Sequence, residues 1–584
     1  MTDSNVGAAR STASSVDAVS PTAMQTAELT AMLESDGATI IEALDRHAEQ
    51  RPDAPAVIYG PTGARLTYRE LAARSDAIAG NLRARGVEPG DVVSVLATDP
   101  FAATVWMFGI WKAAAIYGPI NFQYAGQLLS YSLDDAKPVM LLCQDSLIDR
   151  VAAVWDGLAV RPQVLISGAA PDGLPMPADG AAILEQPAAR PEVEITFRTP
   201  CSLIYTSGTT GPSKGVLHPH RWINQYTWVM RSRLTPQDVV YNDLPMYHVG
   251  GAYANVAMAL WAGASVALWD RFSPSEFWSR IAAQSCTSAI ILDVMIPWLL
   301  ANPVSSDDRR NTLNKAHMQP LPVRHREFAT RFGIDSVSAG FGQTESGCPC
   351  VVILEECAPG AGTPDELFRG KTQAQLRSEA QAHGICVLPA EKVSRKAAMG
   401  LPVPFFECAV LDEDDQPCAP GVAGHWAIRQ KLPYLLYDEY LGKPDKTLEA
   451  NRNQWFHTGD SAVQDDEGYY FFLDRLGDRI RVRGENISSV HVEEILSGHS
   501  QVEVAAVVAV PSPRSDEDEI VAFIQPAPGE QPSDESLRAY AEANMPKFMR
   551  PWQYRLIEEL PKTPTNKIEK HKLRKAANEE IPGA

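Results

Sequence analysis

The stretch Ile204–Val216, IYTSGTTGPSKGV, gathers three glycines, three threonines, two serines and a lysine directly after the apolar run SLIY. Hydroxyls and open backbone N–H groups on such a loop form a good surface for phosphate oxygens. The Walker pattern G-x-x-x-x-G-K-[ST] is not met. Counted from Gly208, its second glycine falls on Ser213, and Lys214 is followed by Gly215. A Gly/Ser surface linker would share this composition. A second stretch, KTPTNKIEKHKLRK (562–575), is crowded with lysines, and composition alone assigns most of them to solvent. Cys348, Cys350 and Cys357 form a loose cluster, but no histidine lies nearby and the C-x-C spacing fits no common zinc pattern.

The chain that must position these groups has 584 residues and 45% hydrophobic content, enough for more than one domain. Its formal net charge of −20 repels nucleic acid, which is therefore not an expected partner, whereas a few local donors suffice for a small anion. Nine scattered cysteines without a C-x-x-C pair favour buried thiols in a reducing compartment, and the cytoplasm is the default location. The most apolar windows are short and interrupted by Lys112 and Asp293, so no membrane span is expected. The Ser/Ala/Thr/Asp-rich beginning lacks the pattern of a signal peptide and predicts a disordered tail over 1–35.

From about residue 36 the pattern is globular. LTYRELAARSDAIAGNLRARG predicts a helix with Thr67 as its cap and Gly86 at its end, and DVVSVLA predicts a buried strand. TVWMFGIWKAAAIYGPIN, PSEFWSRIAAQSCTSAIIL and REFATRFGIDSVSAGFG each predict a helix followed by a strand, which indicates an α/β class with largely parallel sheets. After residue 400 the texture changes. FFECAVLDEDDQPCAPGVAGHWAIRQ predicts a hairpin, and 456–475 continues in strands. The boundary falls at Leu476–Gly477, giving domains 36–476 and 477–584.

With these elements in place, a resemblance becomes visible. YTSGTTGPSKG is similar to the phosphate loop of the adenylate-forming superfamily, which includes acyl-CoA synthetases, aryl-CoA ligases, beetle luciferases and peptide-synthetase adenylation domains. GFGQTESG (Gly340–Gly347), WFHTGD (Trp455–Asp460), DRLGDRIRVRGEN (Asp474–Asn486) and PKTPTNKIEKHKLR (Pro561–Arg574) resemble its remaining signatures, in the same order. The resemblance implies a large domain of layered α/β subdomains with a small β-barrel-like part, then a small mobile α+β domain. It implies activation of a carboxylic acid by ATP to an acyl-adenylate, pyrophosphate release, and transfer of the acyl group to CoA.

The roles it implies are as follows. Thr206, Ser207, Gly208, Thr209, Thr210, Gly211 and Lys214 hold the β- and γ-phosphates, and Thr344 donates to the α-phosphate. Glu345 binds Mg²⁺. Asp460 accepts the ribose hydroxyls, Arg475 adds a ribose or phosphate contact, Phe341 stacks on the adenine, and Gly342 is a further cofactor-binding position. Lys567 is the catalytic lysine, His248 lines the acyl pocket, and Gly484 approaches the pantetheine arm of CoA.

This chain also departs from the pattern. Asn566 stands where a glycine usually precedes the lysine, and Gly477 replaces the usual Asp or Lys of the hinge. KAHMQPLP, with His317, Met318 and Gln319, replaces the small-residue run that contacts adenine, and 351–399 is longer than in many relatives. Lys392, Arg395 and Lys396 there form a basic cluster that fits a solvated surface better than a CoA phosphate site. The loop RVRGENISSVHVEE resembles acyl-CoA ligases, and MPKFMRPWQYRLIEELPKTPTNKIEK resembles the carnitine/crotonobetaine-CoA ligase branch. Two alternatives stay open: a stand-alone enzyme loading a carrier protein, and a non-catalytic nucleotide-binding homologue. A homodimer is also left open.

Overall fold

Local chemistry starts the elements. Thr67 accepts from the Glu70 N–H and Glu70 accepts from that of Thr67, a reciprocal cap on the helix Tyr68–Ala84. Gly86, at φ 87°, turns the chain out of that helix. Asp99 caps the helix Pro100–Lys112, which leads into the buried strand Ile116–Pro119. Lys112 is fully buried, and its charge is met by Asp76 at 2.7 Å and Asp45 at 3.1 Å. The computed structural model describes residues 26–168, 171–206, 213–293, 295–393, 397–475, 480–482, 485–487, 489–511, 518–545, 547–563 and 568–579.

Two sheets build the large domain. In the first, the parallel strands Pro55–Tyr59, Ser265–Leu268, Val239–Asn242, Ser288–Ile290, Lys315–His317 and Ser336–Gln343 lie side by side. The second places Val92–Leu96, Met140–Cys143 and Gln163–Ile166 in parallel on one side of Ile116–Pro119, and the antiparallel pair Pro200–Thr206 and Lys214–Pro219 on the other. Between the sheets, helices Tyr68–Ala84, Pro100–Lys112 and His220–Ser232 share one apolar core with both: Val57, Val240 and Val266 on one side, Val93, Val95 and Ile204 on the other. A further core lies on the far face of the first sheet, where Phe277, Ile281, Phe328 and Phe332 pack. The layering is the expected α/β one.

Past Gly347 the first sheet turns antiparallel. The hairpin read at 405–430 forms as Phe406–Leu411 paired with Gly424–Gln430, in register Phe406↔Gln430. This array curls until Cys408 Sγ lies 3.7 Å from Cys350 Sγ on the strand Gly347–Glu355. The stretch 351–399 contains a helix, Gln373–Ala382, and a strand, Cys386–Pro389, that pairs parallel alongside Gly347–Glu355. The C-terminal unit has strands Val502–Pro511, Asp518–Pro526 and Gln553–Leu556, with helices Ser489–Ser497, Asp534–Asn544 and Lys570–Glu579.

The expectation of a disordered tail to Ser35 is corrected at its end. Thr26–Leu33 is a helix whose Leu29 and Leu33 are buried in a core shared with Trp228 and Val229. Directly after it, Glu34 pairs with buried Arg221, and Asp36 with buried Arg231 at 2.8 Å. Two leucines four residues apart make one apolar stripe, a signal too short to stand out against the polar composition around it. Residues 1–25 lie outside the described residues. No helix among the described residues is long and apolar enough to cross a membrane.

Candidate active site

The Thr344–Glu345–Ser346 turn joins the strands Ser336–Gln343 and Gly347–Glu355, with Gln343 opposite Gly347. Three side chains hold its carbonyls. His218 Nε2 donates to Thr344 O at 2.7 Å, Trp222 Nε1 to Glu345 O at 3.2 Å, and Gln225 Nε2 to Ser346 O at 3.2 Å. They come from the strand Lys214–Pro219 and the helix after it, so the elements flanking the hydroxyl-rich loop also set the acidic turn. Burial pushes the His218 imidazole down to about 3, so the ring is neutral and its Nε2 carries the proton that the carbonyl accepts.

Glu345 is buried, and its Oε1 accepts from the Tyr440 hydroxyl at 2.9 Å. Lys214 Nζ lies 4.1 Å from the centre of the same Tyr440 ring. Lys214 is the cross-strand partner of Thr206, so both ends of the hydroxyl-rich loop are anchored here. Burial, and next the Glu345 charge, raise the Tyr440 phenol well above its ordinary value, which keeps it a donor.

Asp460 is set by a neighbouring pair of strands. Asp460, buried on Phe456–Gln464, lies directly opposite Arg475 on Tyr470–Arg475. Gly459 takes φ 78°, and Thr458 Oγ1 accepts from the Asp460 N–H at 3.1 Å while donating to Trp426 O. Gln343 Nε2 donates to Thr458 O at 3.3 Å, tying the acidic turn to this segment. Phe341 packs edge-to-face on Trp426 with ring centres 5.8 Å apart and is 6% exposed. Gly342 O accepts from Gln319 Nε2 at 3.0 Å, and Gln319 Oε1 meets His317 Nε2 at 3.1 Å. The run that departs from the small-residue pattern therefore contacts the same strand through side chains.

His248 is half-buried, and its Nδ1 accepts from the Gly250 N–H at 3.1 Å, which leaves the ring proton of the neutral form on Nε2. It precedes a buried π-helical turn, Gly250–Ala257, in which Asn255 donates to Asn242 at 2.8 Å. Ser207, Gly208, Thr209, Thr210, Gly211, Gly484 and Lys567 lie outside the described residues, as do Arg395, Lys396, Asn566 and Gly477, and the Arg475 side chain is not described. Lys392 is exposed. Cys348 and Cys350 are buried in the core, whereas Cys357 Sγ turns to Ile334 O at 3.3 Å, so the three do not converge.

The sequence-predicted residues Thr206, Lys214, Thr344 and Glu345 come together, and Gln343 links them to the strand pair of Asp460 and Arg475. Sequence reasoning missed Tyr440, His218, Trp222, Gln225 and Gln343. Aromatic and polar residues of these types read as ordinary core or strand positions, and only the long-range pairing of Glu439–Tyr440 with Lys214–Pro219 brings Tyr440 to Glu345. Among the described residues no cluster of three metal-ligating side chains forms, but the Glu345 carboxylate offers a hard oxygen of the kind Mg²⁺ accepts together with phosphate oxygens.

The chain matches the model of the AMP-binding enzyme family over residues 44–437 and that of the AMP-binding enzyme C-terminal domain over 491–567. It is 30% identical over 531 residues to a long-chain-fatty-acid–CoA ligase of Thermus thermophilus, covering 89% of this chain and 92% of that protein. It is 28% identical over 549 residues to the fatty acid–[acyl-carrier-protein] ligase ScoC of Streptomyces coeruleorubidus, covering 92% and 96%. A crotonobetaine/carnitine–CoA ligase of Proteus mirabilis is 26% identical over 522 residues, covering 87% and 92%. The fold is similar to that of the anthranilate CoA ligase AuaEII solved with anthranoyl-AMP, with TM-score 0.77, 21% identity and coverage of 92% and 97%.

Proposed function

The chain belongs to the AMP-binding enzyme family, and from that premise we propose that it activates a carboxylic acid with ATP and passes the acyl group to CoA. A carboxylate oxygen attacks the α-phosphorus, the bond to the bridging oxygen breaks, and pyrophosphate leaves. The CoA thiolate then attacks the acyl carbon, the acyl–phosphate C–O bond breaks, and AMP leaves with its electron pair.

Two anions must meet in the first step, so positive groups and aligned donors have to offset their repulsion as the bond forms. Thr206 to Lys214 take the β- and γ-phosphates, Thr344 the α-phosphate, and Asp460 with Arg475 the ribose. Lys567 is assigned to the space between the carboxylate and the α-phosphate, His248 to the acyl pocket, Phe341 and Gly342 to the adenine side, and Gly484 to the pantetheine arm. Glu345 would hold Mg²⁺, which when bound neutralises phosphate charge. The observation that carries this reading is the contact chain Lys214–Tyr440–Glu345, which joins the hydroxyl-rich loop to the acidic turn.

A carrier-protein thiol is the second reading for the acceptor, favoured by the likeness to ScoC over 92% of the chain. A panel of carboxylic acids assayed for pyrophosphate release, with and without CoA, tests both. Acid-dependent release with formation of an acyl-CoA is expected. Adenylation without thioester on free CoA, but with thioester on a phosphopantetheinylated carrier, would favour the second reading. ATP binding with neither pyrophosphate release nor ATP–pyrophosphate exchange on any acid would point to a homologue that binds nucleotide without ligating. Lys567→Ala is expected to slow pyrophosphate release at least ~10²-fold, the scale for losing one transition-state donor.

A further inference from the structure

Tyr440 belongs to none of the segments that carry the chemistry, yet it touches both Lys214 and Glu345. It is held from several sides. The two-residue strand Glu439–Tyr440 pairs antiparallel with Lys214–Pro219, Tyr440 facing Val216. Its N–H donates to Thr447 Oγ1 at 3.0 Å, and its ring lies 4.9 Å from that of Tyr437. The Tyr437 N–H in turn donates to Glu345 O at 2.9 Å, so one short segment holds both the backbone and the carboxylate of Glu345. Phenylalanine would fill the same apolar space. The hydroxyl adds a hydrogen bond to a carboxylate oxygen at 2.9 Å. A carboxylate so bonded is restricted in rotamer, and the ammonium over the ring face is drawn to a fixed position.

We propose that Tyr440 is the positioning residue of the phosphate end of the site: its hydroxyl orients the Glu345 carboxylate for a divalent cation and its ring face seats Lys214. The proposal rests on the functional reading above, in which Glu345 takes the cation and Lys214 the phosphates. Hydrogen bonds of this kind, one step removed from a metal, typically carry 10–100-fold in metal affinity. Tyr440→Phe keeps the ring under Lys214 and removes the hydroxyl that bonds Glu345 and meets Tyr437. Tyr440→Ala removes both.

The test is binding of Mn²⁺, as a stand-in for Mg²⁺, to the protein with saturating ATP, read from the electron paramagnetic resonance of free Mn²⁺. Thermal unfolding midpoint and KM for ATP are measured alongside. Tyr440→Phe is expected to weaken Mn²⁺ binding about 10-fold in a protein that still unfolds cooperatively, with a smaller rise in KM for ATP than Tyr440→Ala gives. Tyr440→Ala is expected to weaken Mn²⁺ binding similarly and also to raise KM for ATP. Wild-type Mn²⁺ affinity in Tyr440→Phe would overturn the proposal. Glu345→Gln separates the two levels: if it weakens Mn²⁺ binding while Tyr440→Phe does not, only the role of Tyr440 fails. If Glu345→Gln binds Mn²⁺ as the wild type does, the cation assignment fails and Tyr440 falls with it.

Discussion

His220 sits in the core beside Trp111, ring centres 6.1 Å apart, and neither of its ring nitrogens finds a partner among the described residues. Burial lowers its imidazole to about 3, against an ordinary value near 6.5. Between those two values the unfolded chain binds a proton that the folded chain refuses. Stability is therefore complete above about pH 6.5 and falls as pH drops toward 3. At pH 5 the penalty is about 2 kcal/mol, from about 1.4 kcal/mol per pH unit over the interval. His220→Phe removes the titrating group while keeping an aromatic ring. The variant is expected to gain about 2 kcal/mol at pH 5 relative to its own effect at pH 8. Urea unfolding at the two pH values measures this, and an equal effect at both would show that His220 does not resist protonation.

At the scale of elements, the acidic turn depends on Gly347. Its φ is 66°, and a Cβ there would lie 1.9 Å from Gln225 Nε2, the group that holds Ser346 O. Gly347→Ala must therefore displace Gln225 and strain the backbone, costs of the order of 1–3 kcal/mol. The expected outcome is a markedly slower pyrophosphate release together with a lower unfolding midpoint. Wild-type kinetics in a folded Gly347→Ala would mean that the turn tolerates movement. This element also shows what a sequence discloses. The helix Tyr68–Ala84 and the hairpin Phe406–Gln430 were legible because caps, periodicity and turn residues act over a few positions. The Thr344–Glu345 pair was legible through its surrounding residues, GFGQTESG. The supports His218, Trp222, Gln225 and Tyr440 were not, because their partners lie 95 to 126 residues away along the chain and are brought close only by the tertiary fold. The helix Thr26–Leu33 escaped for the opposite reason: two leucines are too few to reveal an amphipathic face inside a polar stretch.

Across the whole molecule, Trp298 links the large domain to the C-terminal unit. From the helix Met295–Leu300 its Nε1 donates to Glu503 Oε1 at 3.2 Å, and Lys562 Nζ lies 4.9 Å from its ring centre. Behind the contact, Gln525 donates to Glu503 Oε2 at 2.9 Å and accepts from the Leu560 N–H at 3.0 Å. The chain on the C-terminal side is closed by a bridge between Lys562 and Ile568, the residues that bracket the Lys567 segment. The contact at Trp298 thus holds Lys562, one partner of that bridge, against the large domain. A hydrogen bond to a carboxylate and a cation over an indole together contribute about 1–3 kcal/mol, enough to shift an equilibrium between two domain poses by about 5- to 150-fold. If the C-terminal unit changes pose between adenylation and thioester formation, a contact made in one pose alone biases the two half-reactions in opposite senses. Trp298→Ala is expected to change the ratio of pyrophosphate release to thioester formation at least ~5-fold, with both domains folded. Trp298→Phe, which keeps a ring beneath Lys562 but loses the N–H, is expected to fall between. Single-turnover measurement of each half-reaction reads the ratio, and a ratio unmoved in Trp298→Ala would show that this contact does not weigh on the exchange between poses.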